Sequence, residues 1–114
     1  MTALRIAILL ACTCMGGASV DATPGDTASA DFTRDNDAAM ARMMSAMHRP
    51  STGNVDEDFV AMMTPHHQGA IEMAALELRY GRNERLRRMA QEIIVTQKQE
   101  IQAMSFALET GTNP

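Results

Sequence analysis

The chain has 114 residues, a net charge of −4, eleven methionines and no tryptophan. This length predicts one small domain. The acidic balance argues against a nucleic-acid partner, because proteins that bind phosphate backbones carry a basic face and a high isoelectric point. Protein cores use methionine sparingly, since its flexible side chain specifies packing poorly. The high methionine content therefore predicts a second role for this residue type.

Residues 1–22 are typical of an export signal. Arg5 precedes an apolar run from Ile6 to Ala11, and small residues follow the run, which is the order of a charged region, an apolar region and a cleavage zone. The run is too short to span a bilayer, which takes roughly 20 residues. Leu9 to Cys12 also resembles a bacterial lipoprotein signal, with Cys12 as the lipidated residue. We therefore predict an exported protein, periplasmic or extracellular, without a membrane span.

Beyond the signal, composition divides the chain into a leader and one helical domain. Residues 23–30 are small and polar with no apolar period, which predicts a flexible leader. Residues 31–114 then carry three amphipathic segments separated by breaks before Pro50 and at Gly81. Short connections predict antiparallel neighbours. We expect an all-α, up-down bundle of three main helices, of the ferritin-like or four-helix-bundle type, which metal binding or oligomerisation completes.

Methionine supplies the apolar face of the first helix. Met40, Met43, Met44 and Met47 recur at i, i+3, i+4 and i+7, the spacing of one helical face. No leucine or isoleucine accompanies them. This face is therefore a candidate set of sulfur ligands as well as packing surface.

Two adjacent histidines, His66 and His67, follow Pro65 in the second helix. At about 100° per residue, His66 falls on the apolar stripe and His67 on its flank, so we predict that His66 points inward. Met62 and Met63 each precede one histidine by a single turn. The whole stripe consists of Phe59, Met63, His66, Ala70 and Met73.

Two polar residues, Gln97 and Glu100, interrupt the apolar stripe of the third helix. Buried polar groups need partners. Folding the second and third helices about Arg82 places this polar break opposite the histidine pair and brings Met104 near Met62.

Folding the first and second helices about Gly53 adds the methionines of the first helix to the same level. Met44 is then level with Met62, and Met40 with His66. The sequence therefore predicts one layer in which thioethers, two imidazoles and the polar pair of the third helix meet.

Thioether is a soft ligand and imidazole an intermediate one, so their combination suits Cu(I) or Ag(I) better than zinc, calcium or magnesium. Both cysteines lie in the signal segment. Gln97 and Glu100 are candidates to accept the N–H of a ligating histidine, and His48 is an accessory candidate. The predicted ligands are His66, His67, Met40, Met43, Met44, Met47, Met62, Met63, Met73 and Met104.

Two structural interpretations compete with the metal site. A buried histidine is usually a hydrogen-bonded core residue, and a methionine stripe usually packs in a core. A methionine-rich face can also dock a partner helix, because its side chains adapt to different surfaces. From the histidine pair alone, these interpretations stay open.

The segment from Phe59 to Ala74, FVAMMTPHHQGAIEMA, resembles the signature of the domain of unknown function 305 family. The upstream methionines and the third helix as far as Met104 also fit, so the resemblance covers nearly the whole mature chain. The family includes CopM-like proteins, which are exported, helical, copper-binding and associated with copper resistance. Two residues depart from the family pattern. Thr64 stands where an aliphatic residue is usual, and Ala107 stands where a tryptophan is usual. The resemblance implies that the motif positions are Met63, His66, His67, Met73 and Met104.

We therefore expect an exported protein that sequesters or transfers Cu(I), or Ag(I), in copper tolerance. Its expected partners are the metal ion, a copper exporter or another periplasmic copper carrier, and a second copy of the chain. An enzyme is not expected, because the Glu-x-x-His pairs of di-iron sites are absent and no histidine follows His67. The alternatives are a metal-free helical interaction module and an accessory to a copper-dependent oxidase.

Overall fold

A computed structural model describes residues 23–111, and three α-helices account for nearly all of them. The helices are α1 (Pro24–Met47), α2 (Val55–Tyr80) and α3 (Glu84–Thr110). No strand occurs within residues 23–111, so the predicted all-α class is confirmed. The predicted signal segment, including Cys12, lies outside the described residues.

α1 begins earlier than composition predicts, and residues 24–30 form its first turns instead of a flexible leader. Thr23 caps the helix. The Asp26 carboxylate accepts hydrogen bonds from the Thr23 hydroxyl at 2.7 Å and from the Thr23 N–H at 3.3 Å. Pro24 occupies the first helical position, where its fixed φ suits a helix and no donor is lost. Local capping therefore starts a helix in a segment that has no apolar period.

Asparagine caps begin the other two helices. The Asn54 side chain accepts from the N–H groups of Asp56 and Glu57, and the Asn83 side chain does the same for the start of α3. Gly53 precedes the first cap with φ +87°, a conformation that favours glycine. α2 continues without interruption through Pro65. The breaks predicted before Pro50 and at Gly81 are confirmed, and the local chemistry of the two caps determines where the next helices begin.

α2 is the central helix, and α1 and α3 pack antiparallel on opposite sides of it. Gly69 faces α1, where it meets Met43, and His67 faces α3, where it bonds Glu100. Residues two apart in a helix point about 200° apart. No Cα atom of α1 lies within 8 Å of one in α3 among the described residues. The up-down order is confirmed, but the three helices form an open layer.

The core of this layer is small and lies in two seams, one on each side of α2. Its buried hydrophobic residues are Ala39, Ile71, Ala74 and Ala90, and no side chain within residues 23–111 is less than 2% exposed. Ile71 and Ala74 follow His67 at i+4 and i+7 and so share the face toward α3. Alanine in the seams lets the helices approach closely but buries little apolar area. One copy of the chain thus has few buried contacts for its length.

The predicted register between α1 and α2 is wrong by about two turns. Arg42 Nη2 lies 2.7 Å from Glu72 Oε2, whereas folding about Gly53 places Arg42 level with residue 64. The connection from 48 to 54 causes the shift because it does not turn tightly. Instead, Ser51 and Thr52 bond to Asp58, so residues 48–54 lie along the first turns of α2, and α1 ends at Met47, level with a later turn of α2.

Candidate metal centre

His67 is the buried histidine, with 9% of its surface exposed. Its Nδ1 lies 2.8 Å from the carbonyl oxygen of Met63, and its Nε2 lies 2.9 Å from Glu100 Oε2. Because a carbonyl oxygen can only accept, Nδ1 carries a hydrogen and donates it. This bond fixes the tautomer and the direction of the ring. His67 thus joins α2 to α3 and directs Nε2 at a carboxylate.

The polar pair of α3 meets His67 as the sequence predicts. Gln97 Nε2 donates to Glu100 Oε2 at 3.4 Å, and the same oxygen faces His67. Each ring nitrogen of His67 thus has one oxygen partner, the Met63 carbonyl within α2 and the Glu100 carboxylate across the seam. The break in the α3 stripe therefore completes a hydrogen-bonded chain across the seam.

His66 is exposed, and the prediction that it points inward is wrong. Its ring centroid lies 5.9 Å from that of His67, with the planes at 64°. No residue between 23 and 111 forms a hydrogen bond with His66. Its two nitrogens are consequently accessible to a ligand from solvent, unlike those of His67.

The error comes from the assumption that the apolar stripe of α2 is its buried face. α1 and α3 occupy opposite sides of α2, and the stripe that carries His66 lies between them, on a surface that no helix within residues 23–111 covers. Phe59, in the same stripe, is 51% exposed, and Met62 is exposed beside it. The residues of the stripe are as predicted, but the sides of α2 on which α1 and α3 pack are not.

The methionines of α1 divide between the seam and this open surface. Met43 is half-buried and touches Gly69, whereas Met44 is 58% exposed and Met40 is also exposed. Because the register is shifted, half-buried Met47 is level with His66 in place of Met40. The single layer of ligands predicted from the sequence is therefore spread along the helices.

The remaining predicted ligands lie at different distances along α2. Met62 and Met63 are one turn before the histidines, and half-buried Met73 is two turns after His66. Half-buried Met104 lines a depression with Phe59 and Val60, about two turns from the histidines.

Two other residues that the sequence analysis names lie away from the centre of the site. Ala107, a departure from the pattern that the chain resembles, lines the same depression as Met104. His48 is the exposed cap at the end of α1. Within α2, His66 lies one turn after Met62 and Met63.

Gly69 positions the site, a role that the sequence analysis did not assign. A Cβ atom at this residue would overlap Met43 Sδ and lie 3.0 Å from Met43 Cβ. Glycine therefore lets α1 approach α2 one turn after the histidines. Its signal in the sequence is a glycine inside a long helix, where it costs about 1 kcal/mol relative to alanine and so indicates close packing.

Hydrogen bonds fasten α1 and its connection at both ends of the α1–α2 seam. The Tyr80 hydroxyl donates to Asp35 Oδ2 at 2.6 Å; this bond lowers the pKa of Asp35, helped by Arg34, and raises the pKa of Tyr80. At the other end, bonds from Ser51 and then Thr52 lower the pKa of Asp58. These contacts hold the methionines of α1 in register with α2.

The described residues contain no group of three histidine, cysteine, aspartate or glutamate side chains that could hold a metal ion. Within residues 23–111, no helix is long and apolar enough to cross a membrane.

Comparison with known proteins gives a family but no function. No curated protein matches this chain in sequence. The sequence profile of the domain of unknown function 305 family matches residues 14–108. The matched range includes all three helices except the last two residues of α3. The chain belongs to the domain of unknown function 305 family.

Proposed function

We propose that this chain is an exported protein that binds Cu(I), or Ag(I), through methionine thioethers and imidazole, and that it stores or transfers the ion. The observation that carries the proposal is the environment of His66. Its ring is exposed and without a hydrogen-bond partner in residues 23–111, beside the methionines of the same helix.

The spacing of the donors suits one ion. Met62 and Met63 precede His66 by four and three residues, positions at which side chains of a helix are neighbours, with Cβ atoms about 5–6 Å apart. Methionine has a long, unbranched side chain, so its sulfur can move toward an ion at the imidazole. Two neutral sulfurs and one nitrogen form a soft donor set, which favours a monovalent soft ion over zinc or magnesium.

His67 supports this site from the seam. Its Nδ1 is held by the Met63 carbonyl and its Nε2 by Glu100, so the backbone that carries Met63 and His66 is fixed against α3. Hydrogen-bonded neighbours of this kind orient ligands and raise affinity. His67 becomes a ligand itself only if Glu100 releases Nε2.

Storage or transfer suits this arrangement better than catalysis. The donors are neutral side chains of one helix, and none is a hard ligand that would hold an activated water. Together with the predicted export signal in residues 1–22 and the resemblance to CopM-like proteins, this donor set favours a role in copper tolerance. A copper exporter or another periplasmic carrier is the corresponding partner.

The test is a Cu(I) titration of the purified protein against a competing chelator, with wild type, His66→Ala and His48→Ala compared. His48 is the matched control, because it is also an exposed histidine. We expect His66→Ala to weaken binding at least as much as the roughly 10–100-fold that loss of a supporting hydrogen-bond partner costs at metal sites. His48→Ala should bind like wild type. Equal affinities for all three proteins would refute the proposal.

A further inference from the structure

We propose that a second copy of this chain covers the exposed apolar surface of the helix layer, so that two copies form a face-to-face homodimer. The proposal rests on this surface and not on copper. The surface, here termed the methionine face, contains exposed large hydrophobic residues from all three helices. They are Met40, Met44, Phe59, Met62, Leu86, Met89 and Ile93.

The α1 residues lie on the same side of the layer as the His66 stripe. Met43 faces α2, and its neighbours Arg42 and Met44 point about 100° to either side of it. Arg42 bonds Glu72, on the side of α2 away from His66. Met44 therefore points to the His66 side, and Met40, one turn earlier, points with it.

The α3 residues lie on that side as well. In an antiparallel pair, residues that precede the seam position on either helix point to the same side of the pair. His66 precedes buried His67, and Met89 precedes buried Ala90. Met89 therefore shares the side of His66, and Ile93, at i+4 from Met89, shares it too. The exposed hydrophobic residues of the three helices thus lie on one side of the layer, and Glu100, at i+7 from Ile93, lies on that side too with its side chain half exposed.

The opposite side of the layer is polar. It carries the ion pair between Arg42 and Glu72, at 2.7 Å, and that between Arg79 and Asp35, at 3.7 Å. Exposed Gln68 lies on this side of α2. The layer therefore has one face suited to water and one suited to burial.

Two observations favour a second copy as the occupant. The first is the small core, in which only four hydrophobic residues between 23 and 111 are buried. Helical domains are built from helices packed on helices around a shared core, and a single layer lacks the second half. A two-fold interface uses the same surface on both copies. Two such layers, related by a two-fold axis and packed face to face, therefore enclose one core between six helices.

The second observation is the size of the face. α2 and α3 contain 26 and 27 residues, and at 1.5 Å per residue each is about 40 Å long. Three helices spaced 8–10 Å apart make a layer about 25 Å wide. The face therefore offers about 1,000 Å² per copy, comparable with the roughly 800 Å² per partner of a standard stable interface. Full overlap sets the middle of α2, which carries His66, against its symmetry mate, so the His66 donors of both copies lie at the interface.

Charge substitutions on and off the face test this dimer. Met44→Glu and Met89→Glu place a carboxylate on the face, whereas Val95→Glu and Phe106→Glu place it on α3 away from α2, at residues of similar exposure, 56% and 65%. By sedimentation equilibrium of chelator-treated protein, wild type and both control variants should be dimers at micromolar concentration. The face variants should associate about 100-fold more weakly, because the dimer would bury unpaired carboxylates.

A second measurement does not depend on charged variants that could unfold. Ala70 lies on the His66 stripe and Ala75 on the opposite side of α2. With a short bismaleimide, Ala70→Cys should cross-link as a dimer and Ala75→Cys should not. A wild-type monomer at high micromolar concentration would overturn the proposal, as would equal weakening by face and control variants or cross-linking through Ala75→Cys alone. A copper-free dimer that binds no Cu(I) would support this inference and refute the proposed function.

Discussion

His66 and His67 are adjacent in sequence and lie in opposite environments. His67 is buried in the seam between α2 and α3, with both ring nitrogens hydrogen-bonded. His66 is exposed among methionines, without a hydrogen-bond partner in residues 23–111. The comparison shows how one dipeptide reaches two environments, because neighbouring residues on a helix point about 100° apart. The buried histidine holds the helices together, and the exposed one is the ligand that we propose for Cu(I).

The largest expected effect on stability distinguishes His67 from His66. His67→Ala removes a buried ring and its bond to Glu100, so we expect the free energy of unfolding to fall by about 2 kcal/mol. His66→Ala removes an exposed ring and should change it by less than about 0.5 kcal/mol. Urea denaturation followed by circular dichroism measures both. Equal losses for the two variants would mean that the seam and the surface do not differ as described.

A smaller effect is expected at Gly69. A Gly69→Ala side chain would overlap Met43, and overpacking costs roughly 1–3 kcal/mol, while the alanine gains about 1 kcal/mol of helix propensity. We therefore expect a net loss of about 1 kcal/mol in urea denaturation. Adding Met43→Ala removes the overlap, so Gly69→Ala should become neutral or stabilising in that background. A loss of the same size with and without Met43 would exclude the contact as its cause.

The smallest expected effect concerns the pH dependence of the connection before α2. Hydrogen bonds from Ser51 and Thr52 lower the pKa of Asp58 below its ordinary value. A group whose pKa is lower in the folded state stabilises it above the unfolded pKa and loses this effect as pH falls through the folded value. The Asp58→Asn variant should therefore lose less stability than wild type on acidification from neutral pH to below the ordinary aspartate pKa of about 3.9. If the free energies of unfolding of the variant and the wild type fell equally with pH, the lowered pKa of Asp58 would be contradicted.

Local and short-range features of this molecule could be predicted from the sequence. The asparagine caps give the starts of α2 and α3, since capping depends on a few adjacent residues. The meeting of Glu100 with the histidine pair was also predicted, because the connection between α2 and α3 is short and leaves little freedom of register. Export and copper binding, by contrast, stay predictions, since the described residues do not test them.

Two features could not be predicted, because both depend on contacts that are distant in sequence. The α1 register depends on the path of residues 48–54, which run extended along α2 and bond Asp58. The exposure of His66 depends on which sides of α2 its neighbours occupy. An apolar stripe predicts that something covers it, but does not specify whether a helix of the same chain or another copy does so.

The most direct test of the division between the two histidines is a titration of ¹⁵N-labelled protein with Ag(I), followed by long-range ¹H–¹⁵N spectra of the imidazole nitrogens. If the account is right, a His66 nitrogen shifts with the first equivalent, while His67 keeps its donating Nδ1–H and its signals change little. A shift confined to His67, or no imidazole shift at all, would contradict it.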